Sequence, residues 1–273
     1  MKIGIIGAQN SHTDHFCKAL NGEKICGDAR VAYLYGPDAP EHAEELSEMY
    51  GVTLCASEEE LIEKADAVAI TYRKGSMHYQ PAMKVLKAGK PLFNDKPFAI
   101  GKKQCAKITE YARKNGLLLA GGSNLKGLKE LEELKKSVIS GSTVTISFAA
   151  DVNSEYDGYW FYGIHSAELC IALCGENYTS VSSFQNGDAI VSVISYRDRQ
   201  CIICNTPHSY DLRISVTNGE ETVNKKLALL YQNVGPMELV KMVETGVIPR
   251  DFSHYERAVE LVETIMNSYQ KNT

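Results

Sequence analysis

Lys96 stands between Asp95 and Pro97 in the run Phe93-Asn94-Asp95-Lys96-Pro97-Phe98, and His165 ends the aromatic run Trp160-Phe161-Tyr162-Gly163-Ile164-His165. An ammonium can donate hydrogen bonds to a substrate oxygen, and an imidazole exchanges protons near neutral pH. The pair could therefore serve as a proton relay. The proline imposes extended geometry on Lys96 and permits a cis peptide bond. Asp95 beside it is expected to favour the charged ammonium. Each residue also has a plainer reading: Lys96 as half of a structural ion pair, and His165 as a satisfied buried histidine. Tyr156, Trp160 and Tyr162 could wall a substrate pocket or simply fill the core.

The elements that must position these groups alternate in the first half of the chain. Apolar strands are expected at 2–7, 31–35, 52–55, 67–71, 91–94 and 117–120. Helices are expected between them at 13–21, 41–50, 78–88 and 101–115, with a further one at 125–140. Pro40 opens one helix, Ser57 with Glu60 forms a capping box for another, and Gly116 closes a third. This spacing implies right-handed crossovers and a parallel sheet, with ligands beyond the carboxyl ends of its strands. Gly7, Tyr72 and Lys96 all fall near such ends, and His78 opens the helix after Tyr72.

The second half differs. Longer, partly alternating strands are expected at 143–151, 189–196, 200–205, 211–217 and 222–231, with Asn218-Gly219 as a hairpin turn. Helices are expected at 165–173, 236–245 and 253–270. The fold class is therefore an α/β Rossmann-type parallel-sheet domain followed by an α+β domain with an open, mostly antiparallel sheet. The expected boundaries are 1–122 for dinucleotide binding and 123–273 for substrate binding and dimerisation. The C-terminal helix is a candidate to pack back on the first domain. The bare face of the second sheet calls for cover, which a homodimer or homotetramer would supply.

The first strand–helix turn reads Gly7-Ala8-Gln9-Asn10-Ser11-His12. A dinucleotide turn normally carries three glycines, the second letting the pyrophosphate approach and the third allowing close helix–strand packing. Here only the first is glycine; Gln9 and His12 take the other two places. Asn10 or Ser11 can still cap the helix. An acidic residue normally holds the ribose about 20 residues further on. Gly36 stands at that place and Asp38 two residues later, as a substitute acid or as a turn residue.

Bulk properties exclude several classes. The 273 residues carry a net charge of −5 with 23% charged residues, so nucleic acid is not an expected partner. No apolar stretch approaches the roughly 18 residues of a membrane helix. The chain enters a strand at once, without a signal-peptide layout, so a cytoplasmic location is expected. The eight cysteines read as reduced thiols. Cys201 and Cys204 fall on opposite faces of an expected strand, and Cys170 and Cys174, four apart on a helix, show no matching second pair. His12 and His15 lack an evident third ligand, so no metal is expected.

Taken together, Lys96, His165 and the domain order resemble the Gfo/Idh/MocA family of oxidoreductases. The best segments are Asp66-Ala67-Val68-Ala69-Ile70 and Lys87-Ala88-Gly89-Lys90-Pro91-Leu92-Phe93-Asn94-Asp95-Lys96-Pro97. The family carries Glu-Lys-Pro where this chain has Asp-Lys-Pro, and Asp-x-Gly-x-His where it has Phe161-Tyr162-Gly163-Ile164-His165. The resemblance implies NAD or NADP held by Gly7, Ala8, Gln9, Asn10, Ser11, Asp38, Tyr72, His78, Asp95 and Lys96. It also implies Lys96 on the reacting oxygen and His165 exchanging its proton, above a common cleft. The substrate would be a small hydroxylated or carbonyl, sugar-like molecule. Phe161 replaces the aspartate that assists the histidine in polyol-oxidising members, and the second domain is short. The alternative expectation is a redox-silent member that binds a metabolite or a protein partner.

Overall fold

The computed structural model describes residues 1–230 and 232–269. By their contacts these fall into two units, residues 1–124 with 232–251, and residues 125–230 with 252–269. Among the described residues, no helix is long and apolar enough to cross a membrane.

The first unit is built on a six-stranded parallel sheet. Its strands are β1 (Lys2–Ile6), β2 (Arg30–Tyr35), β3 (Thr53–Leu54), β4 (Ala67–Ile70), β5 (Leu92–Asp95) and β6 (Leu119–Gly122). The order across the sheet is β3-β2-β1-β4-β5-β6, so chain direction across the sheet reverses between β1 and β4. Ligands of such sheets bind at that switch point. β4 and β5 are buried along their whole length, as strands covered on both faces must be. The crossovers run through α1 (Ser11–Cys17), α2 (Pro40–Tyr50), α3 (Glu58–Lys64), α4 (Tyr79–Lys87) and α5 (Lys102–Asn115). The Ser57 hydroxyl accepts from Glu60 N at 3.1 Å and so caps α3, and Gly51 and Gly116 end α2 and α5 in the left-handed region.

One expectation about this unit is corrected. The last strand begins at Leu119 and runs through both Gly121 and Gly122, further than its apolar stretch suggests. A Cβ on Gly121 would stand 1.8 Å from the Asn94 carbonyl oxygen, so this glycine allows close strand approach rather than ending the strand. Helix α8 (Val234–Thr245) also belongs to this unit, while the C-terminal helix α9 (Ser253–Tyr269) groups with the second unit. Leu239, Val240 and Met242 of α8 join Phe16, Leu20 and Phe93 in one buried cluster.

The second unit holds α6 (Glu130–Ser137), α7 (Trp160–Cys174), α9 and a mixed sheet. The sheet strands are β7 (Thr143–Ala149), β8 (Ser180–Asn186), β9 (Ala189–Ser195), β10 (Gln200–Thr206), β11 (Arg213–Thr217) and β12 (Thr222–Lys226). Their order is β12-β11-β7-β10-β9-β8; β7 and β10 are parallel and the other neighbours antiparallel. Helix α7 packs on β7 and β10, and α9 packs on α7 and β8. β8 was not anticipated. Its sequence SVSSFQN is polar and largely exposed, as an edge strand's can be. The helix expected from His165 in fact begins at Trp160. Nearly every residue of α7 is buried, so it shows no apolar stripe to mark its start.

Leu239 is fully buried in the first unit's core. Leu239→Ala should destabilise the protein by about 2–5 kcal/mol in urea unfolding. A loss under about 0.5 kcal/mol, the range of surface substitutions, would contradict the placement of α8.

Candidate active site

The first turn of the sheet is held from three sides. Gly7 sits at φ 106°, and a Cβ there would come within 2.7 Å of Tyr72 N. Its N–H donates to Tyr35 O at 2.8 Å, and its carbonyl accepts from the hydroxyls of Thr13 at 2.9 Å and Thr71 at 3.1 Å. The ends of β1, β2 and β4 are thereby tied at the switch point. Asn10 caps α1, its side-chain oxygen accepting from His12 N at 3.2 Å. Gln9 and Ser11 are exposed beside it.

Asp38 takes the turn role. Its two carboxylate oxygens accept from Ala8 N at 2.9 Å and Gln9 N at 3.1 Å, so the half-buried acid closes its own turn onto the first one. Gly36 shows why the acid has moved. A Cβ at Gly36 would stand 2.5 Å from Ala8 Cβ and 2.9 Å from Ala43 Cβ. No side chain fits there, and the carboxylate arrives from two residues further on.

His12, at the place of the third glycine, has a partner that spacing alone does not reveal. Its Nδ1 donates to Asp95 Oδ2 at 2.7 Å, and Asn10 Nδ2 donates to the same oxygen at 3.3 Å. A carboxylate can only accept, which places the proton on Nδ1. Both partners are buried, joining the first turn to the end of β5. Burial alone would push the Asp95 carboxyl up, but His12, its hydrogen bond and Lys96 together hold it below the usual range. Asp95 Oδ1 is buried without a hydrogen-bond partner among the described residues.

Lys96 follows directly. The Lys96–Pro97 peptide is cis. Asn94 Nδ2 donates to Phe98 O at 2.7 Å and closes this corner. Gly75 packs against Pro97, since a Cβ at Gly75 would meet Pro97 Cγ at 2.2 Å. His78 is fully buried behind the corner, where its Nε2 lies 2.8 Å from Tyr72 O; burial pushes its pKa down. Tyr72 is itself 3% exposed. Lys96 is 4% exposed, and burial lowers its ammonium to about 8 despite the opposing charge of Asp95. Asp95 was expected to favour the charged form; desolvation outweighs it.

In the second unit, His165 lies inside α7 rather than at its start and is 5% exposed. Its ring lies 5.9 Å from that of Phe148 and 5.5 Å from that of Tyr162. Phe161 lies between Tyr156, tilted at 4.9 Å, and Tyr162, edge-on at 4.8 Å, and Tyr162 meets Tyr210 at 5.5 Å. Tyr156 and Tyr162 are half-buried, while Trp160 is 7% exposed. The structure thus gathers Gly7, Ala8, Asn10, Asp38, Asp95 and Lys96 in one unit, and Tyr156, Tyr162 and His165 in the other.

The first 123 residues match the family model GFO_IDH_MocA, an oxidoreductase family with an NAD-binding Rossmann fold. Over that part, under half of its length, the chain is similar to the Gfo/Idh/MocA oxidoreductases. The matched residues carry the six-stranded parallel sheet. The chain is similar to an uncharacterised oxidoreductase of Streptococcus pneumoniae, 24% identical over 144 residues; the match covers 52% of this chain and 37% of that protein. It shares its fold with an apo scyllo-inositol dehydrogenase from Lactobacillus casei (12% identity, TM-score 0.83, covering 100% of this chain and 96% of the other). The same holds for GenD2 from gentamicin A biosynthesis, solved with NAD (12% identity, TM-score 0.83, covering 100% and 95%).

The residues present suit the family's cofactor. Each Asp38 oxygen accepts a single amide and keeps a lone pair for a ribose hydroxyl. The orphaned Asp95 Oδ1 is the kind of buried acceptor that a bound ligand satisfies. Restoring the acid at its usual position should fail. Gly36→Asp would overpack the contact with Ala8 and Ala43 and cost about 1–3 kcal/mol in unfolding measurements, with no gain in NAD affinity. A stable Gly36→Asp protein with tighter NAD binding would contradict this reading.

Proposed function

We propose that this chain is an NAD-dependent oxidoreductase acting on a small hydroxylated or carbonyl, sugar-like substrate. Bound NAD supplies the site that accepts a hydride, and its reduced form the site that gives one. Gly7, Ala8, Gln9, Asn10, Ser11 and Asp38 would hold its adenosine and phosphates, with Tyr72 and His78 shaping the adjoining loop. The carboxylate of Asp38 would repel a phosphate on the ribose, which favours NAD over NADP.

Lys96 would bind the reacting oxygen of the substrate. As an ammonium it donates a hydrogen bond, polarises a carbonyl and steadies the charge that grows on its oxygen during reduction. His165 would deliver the proton to that oxygen, or remove it in the reverse direction. Tyr156, Trp160 and Tyr162 would offer ring faces to the apolar side of a sugar-like molecule. These roles are supported by the family resemblance and by the surroundings of each residue within its own unit.

The observation that carries the reading is the Lys96 ammonium, buried beside Asp95 with its pKa lowered to about 8. Below that value the amine is protonated and above it neutral, so carbonyl reduction should fall as pH rises through about 8. Lys96→Arg should remove that inflection, because guanidinium stays charged. Lys96→Met should lower kcat by about 10²–10⁴-fold. NADH should still bind that variant, as followed by the fluorescence of the single tryptophan, Trp160. Undiminished turnover in Lys96→Met would reject the assignment. Failure of the wild type to bind NADH or NADPH at millimolar concentration would leave the redox-silent reading.

The second sheet would also pair two copies, as a dimer or a dimer of dimers. Phe184 and Val191 face each other across β8 and β9 and are 58% and 40% exposed. Light scattering of Phe184→Glu should then show a smaller assembly than the wild type. A wild type that is already monomeric would contradict the pairing.

A further inference from the structure

Three of the cysteines converge in a way the spacing of the sequence does not announce. Cys170 and Cys174 are one turn apart on α7, so both sulfurs project from the same helix face. That helix packs on β10, where Cys201 points toward it. The three sulfurs lie within 4.8 Å of one another. Cys170 and Cys201 are fully buried, and Cys174, the last residue of α7, is 8% exposed. The Tyr196 hydroxyl lies 3.5 Å from the Cys170 sulfur and 2.9 Å from Gly175 O. Cys204, three residues along β10, is half-buried on the opposite face of the sheet.

Small apolar cysteines can fill a core without further purpose, but they need not face one another. A disulfide would use two sulfurs and leave the third idle, and all three are free thiols. A metal bound by three thiolates at about 2.3 Å holds its sulfurs about 4 Å apart, a spacing that small side-chain rotations from this arrangement would reach. Among the described residues no imidazole, carboxylate or fourth thiol joins the group. A closed four-ligand zinc site is therefore absent, and soft thiolates in a buried three-fold set suit a thiophilic ion of low coordination number.

We propose that Cys170, Cys174 and Cys201 bind one thiophilic metal ion through three sulfurs, as Cu(I) in trigonal coordination or Zn(II) with one added oxygen donor. Each thiol loses its proton to solvent as the metal–sulfur bond forms, and nothing is oxidised or reduced. The site lies wholly within the second unit and does not depend on the nicotinamide chemistry. Cys174 offers the exposed edge for entry.

The full-length reduced protein, held without oxygen, would be titrated with Cu(I) against bicinchoninate and with Zn(II) against a chromophoric chelator. One equivalent of at least one ion should bind, and X-ray absorption should show three sulfur neighbours. Binding should protect Cys174, the exposed member, from alkylation in the wild-type protein, a readout that needs no variant. Cys201→Ser should weaken binding by about a hundredfold or more, since even partners outside the ligand shell are worth 10–100-fold. Cys204→Ser should bind as the wild type does. Circular dichroism would check that both variants fold. Absence of stoichiometric binding for both ions, protection of thiols outside these three, or unchanged affinity in a folded Cys201→Ser would overturn the proposal.

Discussion

The buried carboxylate of Asp95 is the constraint on which the first unit depends. A carboxylate removed from water is costly unless charge and hydrogen bonds compensate it. Here His12 and Asn10, both from the first turn, meet it on one oxygen. The end of β5 and the start of α1 are thereby locked together, though they lie far apart in the chain. Lys96 is the next residue after Asp95, so the same lock fixes where the amine begins. The cis corner at Pro97, its Asn94–Phe98 hydrogen bond and the packing of Gly75 fix the rest.

This arrangement explains why the glycine fingerprint can be incomplete without loss of the turn. A third glycine normally lets helix and strand approach closely. In this chain a histidine fills the space and bonds across it. At the end of β2 the same kind of substitution occurs. Ala8 crowds Gly36 so tightly that a side chain there would clash, and the carboxylate of Asp38 bonds to Ala8 N instead. Both departures from the common pattern are therefore exchanges of one fixing contact for another, as expected where local rules break near a functional site.

Much of the fold was legible in the sequence, because the alternating apolar strands and capped helices carry strong local signals. What stayed hidden depends on contacts distant in sequence. The expected strand stops short of Gly121, whose need for glycine shows only in the Asn94 carbonyl beside it. Helix α7 lacks an apolar stripe because it is buried almost all round, so its first turn passed for an aromatic loop. β8 is polar, and nothing in its composition marks it as a strand. Lys96, His165 and the first turn stood out as candidates from residue type and position. The bond from His12 to Asp95 did not, since no periodicity links the two, and neither did the meeting of Cys201 with the α7 pair.

The coupling between His12 and Asp95 can be measured directly. A double-mutant cycle with His12→Ala, Asp95→Asn and both together, read by urea unfolding near neutral pH, isolates the pair from its surroundings. The account predicts a coupling of about 1.5–3 kcal/mol, the range for a buried hydrogen bond to a charged group. Additive effects, with a coupling near zero, would show that the two side chains are neighbours without being partners and would contradict the account.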